Sequence, residues 1–135
     1  MNPNFWGPHA WIFLHTISMN YPKKPTDEDK QSYYQFFKDL EDILPCEKCA
    51  YNYSTNLQKH PLEQSLESRD SLIRWLIQIH NEVNKETGKP PYTYEQVIED
   101  YKYKMEKMGS DETLVYKVII VALLLFIGYK YYLQK

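Results

Sequence analysis

The sequence has 135 residues, a mass of 16.3 kDa, and 16 basic against 18 acidic side chains. Its 43% hydrophobic and 25% charged residues are values of a globular protein and exclude a fully disordered chain. Four scattered glycines exclude a glycine-rich phosphate loop and a Rossmann nucleotide site. Two cysteines exclude a scaffold of several disulfides, and no N-terminal apolar run resembles a signal peptide, so we expect a chain that starts in a reducing compartment.

Apolar side chains at helical spacing predict four or five helices before the last apolar segment, over residues 8–19, 27–43, 46 to between 57 and 60, 69–86 and 94–108. Thr26 and Ser68 are suited to cap the second and fourth helices, and Pro45 separates the second from the third. Gly109 is expected to end the fifth. No alternation of apolar and polar residues indicates a strand. The predicted fold class is all-α, a small helical bundle with short connections.

Residues 114–133 are apolar except for Lys117 and Lys130, which lie near the two ends of the segment. Twenty helical residues span about 30 Å, the thickness of a bilayer core. The alternative is a buried core helix, because the charge-free stretch 118–129 has only twelve residues. A segment that is apolar on every face favours the membrane. We therefore expect a soluble domain over residues 1–112 and a C-terminal transmembrane anchor with a short tail over 113–135.

Of the 16 basic residues, three lie in the anchor and tail, which leaves 13 against 18 acidic residues in the soluble part. Its net charge is therefore −5, and no basic patch with interleaved aromatic residues is present. We expect no nucleic-acid partner. Lysines flank the anchor on both sides, so the distribution of positive charge leaves the orientation in the membrane open.

The sharpest motif is P-C-E-K-C at residues 45–49. Cys46 and Cys49 are three apart at a predicted helix start, so they share one face and can form a small disulfide loop. The positive end of the helix dipole, helped by Lys48, favours the thiolate that exchanges disulfides. Two unreactive thiols are one alternative. A zinc site is another, but His60 and His80 lie twenty residues apart with no second C-x-x-C.

A redox pair of this kind usually belongs to a thioredoxin-like βαβ unit, which this sequence does not indicate. The dithiol is therefore expected in a helical setting. His80 and Asn84 are spaced to share one face of the fourth helix, next to its apolar stripe. They could form a polar site or simply face water, and periodicity leaves both interpretations open.

Seven short motifs occur in this order between residues 6 and 90, within a resemblance to a known family that covers about residues 4–103: W-G at 6–7, W-I-F-L-H-T at 11–16, Y-P at 21–22, P-C-E-K-C at 45–49, W-L at 75–76, H-N-E-V-N at 80–84 and G-K-P at 88–90. Each motif alone is weak. Together they resemble the Erv/ALR family of FAD-linked sulfhydryl oxidases. This resemblance implies a four-helix bundle with a short fifth helix, usually a homodimer, that holds FAD non-covalently. Here that bundle would be followed by the transmembrane helix.

The resemblance also implies the chemistry. The enzyme would oxidise thiols of partner proteins to disulfides and pass the electrons through flavin to O₂, giving hydrogen peroxide. Cys49 would lie next to the flavin, and Cys46 would be the outer cysteine attacked by the substrate thiolate. No metal is expected. The positions that match the family around the cofactor are Gly7, Trp11, His15, His80, Asn81, Asn84, Lys89 and Tyr101.

The sequence departs from the family pattern in three ways. The positions of a structural disulfide found in many members are Ile77 and Tyr94, so packing must replace that bond. Tyr101 stands where the family has a tryptophan. A distal shuttle pair of cysteines is missing, so Cys46 would have to meet its substrate directly. A small, membrane-anchored member without a shuttle is similar to the versions encoded by large cytoplasmic DNA viruses.

We therefore expect an FAD-dependent thiol oxidase that acts on a thioredoxin-like or other small dithiol protein. Its catalytic domain would face the cytosol, in the host cell or on a virion membrane. The alternative is a tail-anchored helical interaction module whose cysteines are catalytically idle.

Overall fold

The computed structural model describes residues 1–133, with side chains at all of these positions except 108–113 and 128. Five helices follow one another along the chain: α1 (Pro3–Asn20), α2 (Asp27–Ile43), α3 (Glu47–Lys59), α4 (Arg69–Glu86) and α5 (Tyr94–Leu133). A 3₁₀ turn, Glu63–Ser65, lies between α3 and α4. No strand occurs within residues 1–133, and the predicted all-α class is confirmed. Gln134 and Lys135, the end of the predicted tail, lie outside the described residues.

Local capping explains where α2 and α4 begin. Thr26 Oγ1 accepts a hydrogen bond from the Asp29 N–H at 3.2 Å, and the Asp29 carboxylate accepts one from the Thr26 N–H at 2.8 Å. Ser68 and Ser71 exchange the same reciprocal pair of bonds before α4. Each capping box satisfies two backbone donors that a helix start otherwise leaves unpaired. The predicted bounds 27–43 and 69–86 are confirmed.

Helix α1 begins five residues earlier than predicted. Asn2 Oδ1 accepts a hydrogen bond from the Asn4 N–H at 2.9 Å, and Pro3 occupies the first helical position. A proline there loses no intrahelical bond and has its φ already fixed for a helix. The predicted start at Pro8 is therefore wrong, because the combination of Asn2 and Pro3 is already a complete start signal.

The core of the first unit, residues 1–94, is formed by side chains from all four of its helices and the turn after α3. Helix α1 packs against α4, α2 against α3, and α3 against α4. Phe37 of α2 and Trp75 of α4 meet edge to face, with ring centroids 5.1 Å apart. The buried members are Leu14, Tyr21, Phe37, Leu40, Tyr53, Leu57, Leu62, Leu66, Leu72, Trp75, Leu76 and Ile79.

The polar ends of the buried aromatic residues bond to backbone carbonyls. Trp75 Nε1 donates to the carbonyl of His60, and the Tyr53 hydroxyl donates to the carbonyl of Phe37, both at 2.8 Å. Burial raises the pKa of Tyr53 above its usual range. These bonds allow large rings to be buried without an unpaired polar group, and they tie α3 to α2 and α4.

Tyr21 plays the same part at the end of α1. It is fully buried, and its hydroxyl donates to the carbonyl of Leu66 at 2.8 Å. Its own carbonyl accepts a hydrogen bond from Arg69 Nε. Burial is the main reason that its pKa rises to about 12. These contacts fix the end of α1 to the start of α4.

The apolar stripe predicted for α2 is wrong at Ile43, because this residue is 67% exposed. It is the last residue of α2, where the chain turns away, and Leu44 packs against the core instead. Phe37 and Leu40 of the same stripe are buried as predicted.

The two positions of the missing structural disulfide have other contacts. Ile77 of α4 is buried. Tyr94 lies under the guanidinium of Arg74, which is 4.0 Å from the ring centroid. Both contacts lie within the first unit and agree with the expectation that packing replaces the covalent bond.

The described part of the second unit, residues 95–133, belongs to α5. The predicted helix end at Gly109 is wrong, because the backbone continues as a helix to Leu133. A single glycine costs a helix about 1 kcal/mol relative to alanine, which is too little to break it between good helix formers. The segment Leu114–Leu133 is long and apolar enough to cross a membrane, and none of it is buried.

We expect Ile77→Ala to lower the free energy of unfolding by about 2–5 kcal/mol, because it leaves a cavity in the core. Ile43→Ala removes the same atoms from an exposed site and should change the stability by no more than about 0.5 kcal/mol. Urea unfolding followed by circular dichroism measures both. Equal effects of the two substitutions would contradict a core role for Ile77.

Candidate active site

Cys46 and Cys49 form a disulfide, with Cα atoms 5.1 Å apart. They are the only two cysteines in the sequence. Cys46 is the N-cap residue of α3, and its Sγ accepts a hydrogen bond from the Cys49 N–H at 3.3 Å. Both cysteines are half-buried, which leaves the bond within reach of solvent and of a partner. The predicted disulfide loop at a helix start is confirmed.

The position of this disulfide has an electrostatic consequence. The first turn of a helix presents unpaired N–H groups and a partial positive charge. When the disulfide is reduced, this end of α3 stabilises the thiolate, and the Cys49 N–H already points at the Cys46 sulfur. The site is therefore built for thiol–disulfide exchange.

A second cluster joins α1 to α4. The Trp11 ring lies parallel to the His80 ring, with centroids 3.8 Å apart and an interplanar angle of 6°. His15 Nε2 is 3.0 Å from His80 Nδ1, so one of these nitrogens donates a hydrogen bond to the other. Such a bond between two neutral imidazoles requires complementary tautomers. The structure thus brings together three residues that the sequence places on two separate helices.

His80 is kept neutral by its surroundings. Burial lowers its pKa from 6.5 to about 3, with further contributions from His15 and Lys89. A group with this pKa carries no charge at neutral pH. Its ring can therefore stack against a neutral heterocycle, and because Nδ1 already bonds to His15, Nε2 is the ring nitrogen left to bond a ligand.

The loop after α4 folds back over this cluster. The Asn81 side chain exchanges two hydrogen bonds with the backbone of Tyr92, at 2.8 and 2.9 Å. The carbonyl of Asn84 accepts a hydrogen bond from the Lys89 N–H at 2.8 Å. Gly88 makes the reversal with a φ of 70°, a left-handed conformation that favours glycine. Asn84 is buried, which rules out the interpretation that it faces water.

Two features of α1 bear on ligand binding, the open space at Gly7 and an unpaired donor on Trp6. A Cβ placed on Gly7 would meet no atom within 4 Å, and Gly7 shares a helix face with Trp11, one turn further on. The buried Nε1 of Trp6 has no hydrogen-bond partner among the described residues. Together with the half-buried ring of Trp11, this arrangement fits a planar aromatic group with polar edges.

Helix α3 places its first turns beside the last turns of α4. The Asn52 side chain, one turn after Cys49, donates to the carboxylate of Glu86. Further along, His60 Nε2 lies 3.3 Å from Glu82, and this contact is the main reason that the pKa of Glu82 is lowered. The start of α3 and the polar end of α4 are therefore held side by side.

Seven of the eight predicted cofactor residues lie in the first unit, on α1, on α4 or in the loop after α4. The eighth, Tyr101, lies on α5 in the second unit, where Lys104 Nζ is 5.2 Å from its ring centroid. Tyr92 was missed by the sequence prediction, and its ring meets His80 edge to face at 5.3 Å. No periodic signal marks it, because it lies in a loop.

Comparison with known proteins agrees with this geometry. Residues 8–103 match the Erv1 / Alr family. The chain is 47% identical over 100 residues to the "Probable FAD-linked sulfhydryl oxidase" of Acanthamoeba polyphaga mimivirus. This match covers 73% of this chain and 70% of the mimivirus protein. It is 35% identical over 86 residues to the mitochondrial FAD-linked sulfhydryl oxidase of Saccharomyces cerevisiae, a match that spans 64% of this chain but only 44% of the yeast protein.

The fold is also shared. The crystal structure of the FAD-binding domain of Saccharomyces cerevisiae Erv1 superposes with a TM-score of 0.65 at 33% identity, covering 69% of this chain and 87% of that one. The predicted bundle architecture is thereby confirmed. The chain belongs to the Erv1/Alr family and is an FAD-linked sulfhydryl oxidase, an enzyme that oxidises dithiols.

Proposed function

We propose that the chain oxidises a small dithiol protein, of the thioredoxin-like kind, at the Cys46–Cys49 disulfide, with Cys46 as the outer cysteine and Cys49 as the one next to the flavin. The observation that carries this proposal is the half-buried disulfide at the start of α3. No shuttle cysteines are available in this sequence, so the substrate must reach Cys46 itself.

The exchange proceeds in two balanced steps. A substrate thiolate attacks Cys46 Sγ, the sulfur–sulfur bond breaks, and Cys49 leaves as a thiolate at the N-terminus of α3. The second substrate thiolate then attacks the mixed disulfide, which releases the oxidised substrate and leaves Cys46 as a thiolate too. The Cys49 N–H and the helix dipole stabilise the Cys46 sulfur in this reduced state.

Bound FAD supplies the two-electron chemistry that regenerates the disulfide and reduces O₂ to hydrogen peroxide. The residues proposed to hold it fit a flavin nucleotide. Trp11 and His80 offer ring faces, the flank beside Gly7 is open, and the neutral pair of His15 and His80 offers hydrogen bonds.

The loop residues complete this proposed cofactor site. Asn81 and Asn84 bond to the loop that carries Lys89 and keep it close to His80. The ammonium of Lys89 can therefore pair with a pyrophosphate group of the cofactor. Lys89 itself is exposed, as a group that pairs with a ligand from the surface would be. Tyr101 is proposed to stack on the cofactor, as the tryptophan at this family position implies.

We also propose that residues 113–135 anchor the enzyme in a membrane, with residues 1–112 facing the cytosol of a host cell or lying on a virion membrane. The exposed apolar helix Leu114–Leu133 and the similarity to a mimivirus protein support this. A homodimer is proposed as well. The exposed Ile12 and Phe13 of α1 support it, since large apolar side chains on a surface commonly mark an interface.

Cys46→Ala and Cys49→Ala should each lower dithiol-dependent oxygen uptake by about a hundredfold or more, because one sulfur cannot complete the exchange. Both variants should keep the absorbance of bound flavin near about 450 nm, since neither sulfur is proposed to hold the cofactor. Oxygen electrode traces and visible spectra measure the two effects. A variant that stays active would contradict the assigned chemistry, and a colourless wild-type protein would favour the idle interaction module.

The same variants separate the two roles. In Cys49→Ala the remaining Cys46 thiol should react with an aromatic disulfide reagent about tenfold faster than the Cys49 thiol of Cys46→Ala. Cys46 caps α3, and its sulfur accepts a hydrogen bond from the backbone N–H of residue 49, which favours the thiolate. The reverse order of rates would exchange the outer and inner cysteines.

The neutral His80 predicts a pH dependence of stability. Its pKa is 6.5 when unfolded and about 3 when folded, so only the unfolded state takes up this proton as the pH falls between these values. Above pH 6.5 the neutral ring costs the folded state nothing. As the pH falls from 6.5 towards 3, the free energy of unfolding decreases by up to about 1.4 kcal/mol for each pH unit. Urea unfolding at pH 7, 6 and 5 should therefore show a steeper loss for the wild type than for His80→Gln.

The substitution His9→Gln removes an imidazole from an exposed position and controls for the loss of a histidine as such. If His80→Gln loses stability as steeply as the wild type does, folding does not lower the pKa of His80 and the account of a neutral, buried His80 is wrong.

Deletion of residues 114–135 should move the protein from the membrane fraction to the soluble fraction, because it removes the segment that is apolar on every side. Oxygen uptake with dithiothreitol should stay within about twofold of the full chain, since no proposed site residue is lost. Flotation of cell membranes and activity assays measure this. A truncated protein that aggregates or lacks helical structure would show that the segment belongs to a core.

A further inference from the structure

Tyr92 lies in the loop after α4, and both polar groups of its backbone are bonded to one side chain of that helix. Its N–H donates to Asn81 Oδ1 at 2.8 Å, and its carbonyl accepts a hydrogen bond from Asn81 Nδ2 at 2.9 Å. An amide that donates at one end and accepts at the other has its orientation fixed. The pair therefore fixes the position of the Tyr92 backbone relative to α4.

The chain between α4 and Tyr92 has little conformational freedom. The turn at Gly88 is followed by Lys89, whose N–H bonds back to α4 at 2.8 Å. Pro90 and Pro91 come next, and the ring of each fixes its φ. The bonds at its two ends decide where such a stiff segment lies, and the bonds at the Tyr92 end are those to the Asn81 side chain.

The Tyr92 ring meets the His80 ring edge to face, with centroids 5.3 Å apart. Two residues of α1 hold His80 as well, because Trp11 stacks on it at 3.8 Å and His15 bonds to its Nδ1. Tyr92 adds a contact from the loop. His80 is thus held by two other parts of the chain, with Nε2 as the ring nitrogen left for a ligand.

We propose that Asn81 and Tyr92 form a positioning pair for His80. The Asn81 amide binds the loop rather than the cofactor, and the Tyr92 ring holds the His80 ring in the orientation in which Nε2 bonds FAD. This inference rests on the proposed cofactor site around His80. It gives Asn81 a different part from that of a direct cofactor ligand, and it adds a residue that no periodic signal marks.

The orientation of His80 matters because a hydrogen bond is directional and weakens steeply when its angle falls below about 120°. Trp11 lies parallel to the His80 ring, whereas the Tyr92 ring is inclined to it by 62°. The two contacts therefore restrict the ring in different directions. The Tyr92 hydroxyl forms no hydrogen bond with the residues that the structure describes, so the ring alone makes this contact.

Equilibrium dialysis of the flavin-loaded full chain in neutral detergent measures the dissociation constant of FAD. Tyr92→Ala should raise this constant about tenfold, because the ring contact with His80 is lost. Tyr92→Phe keeps the ring and should stay within about twofold of the wild type. Asn81→Ala removes both bonds to the loop and should also raise the constant about tenfold.

The double variant decides between the two possible parts of Asn81. If Asn81 acts through Tyr92, the combination of Asn81→Ala and Tyr92→Ala should weaken FAD binding by no more than about twofold beyond either single variant. If Asn81 instead bonds the cofactor directly, the two effects multiply to about a hundredfold. That result would overturn the positioning pair.

Two matched controls remove the same groups elsewhere. Gln78→Ala removes an exposed amide from α4, and Tyr51→Ala removes an exposed tyrosine from α3. Each should leave the dissociation constant within about twofold of the wild type. Circular dichroism checks that the variants stay folded, which is expected for Tyr92 because it is 47% exposed. If Asn81→Ala unfolds, the comparison of alanine with phenylalanine at position 92 still decides.

His80→Ala separates the two possible failures. If the wild type retains no FAD, or if His80→Ala binds it as tightly as the wild type, the proposed cofactor site around His80 fails. If His80→Ala weakens binding but Tyr92→Ala does not, the positioning pair is wrong while the cofactor site stands. The pair is also wrong if Tyr92→Phe weakens FAD binding as much as Tyr92→Ala does, because the hydroxyl and not the ring would then be the group that acts.

Discussion

The alignment of α3 with the last turns of α4 is the constraint on which the rest of the molecule depends. The C-x-x-C pair begins one of these helices and the H-N-E-V-N motif ends the other. Asn52 and Glu86 join them near the disulfide, and His60 and Glu82 join them further along. Without this alignment, a reactive sulfur pair and a cluster of stacked rings would be two separate features rather than parts of one oxidase.

The disulfide and the ring cluster need different degrees of exposure to solvent. The disulfide needs a polar, accessible start of a helix, where backbone N–H groups can stabilise negative charge on sulfur. The ring cluster needs burial, because a neutral His80 and a flat stack with Trp11 depend on the exclusion of water. A short bundle meets both demands, since a helix end lies at the surface while the turns beside it line the interior.

The sequence predicts best what is decided locally. The bounds of α2 and α4 follow from cap residues within three positions of each start, and the disulfide follows from a spacing of three. Exposure of Ile43 and continuation of α5 through Gly109 were not predictable in this way, because the first depends on the turn after α2 and the second on a balance of small energies. The meeting of Trp11, His15 and His80 needed the resemblance to a family, since periodicity does not say which helix faces meet.

The only redox-sensitive bond in this sequence is the one proposed to do the chemistry. At the two positions where the family resemblance implies a structural disulfide, this chain has a buried isoleucine and a tyrosine beside an arginine. No disulfide is therefore needed to hold these two positions together, and the first unit can fold under reducing conditions. The fold and the chemistry are thus separable, because the one bond that is broken and remade in each catalytic cycle is not needed to hold Ile77 and Tyr94 in place.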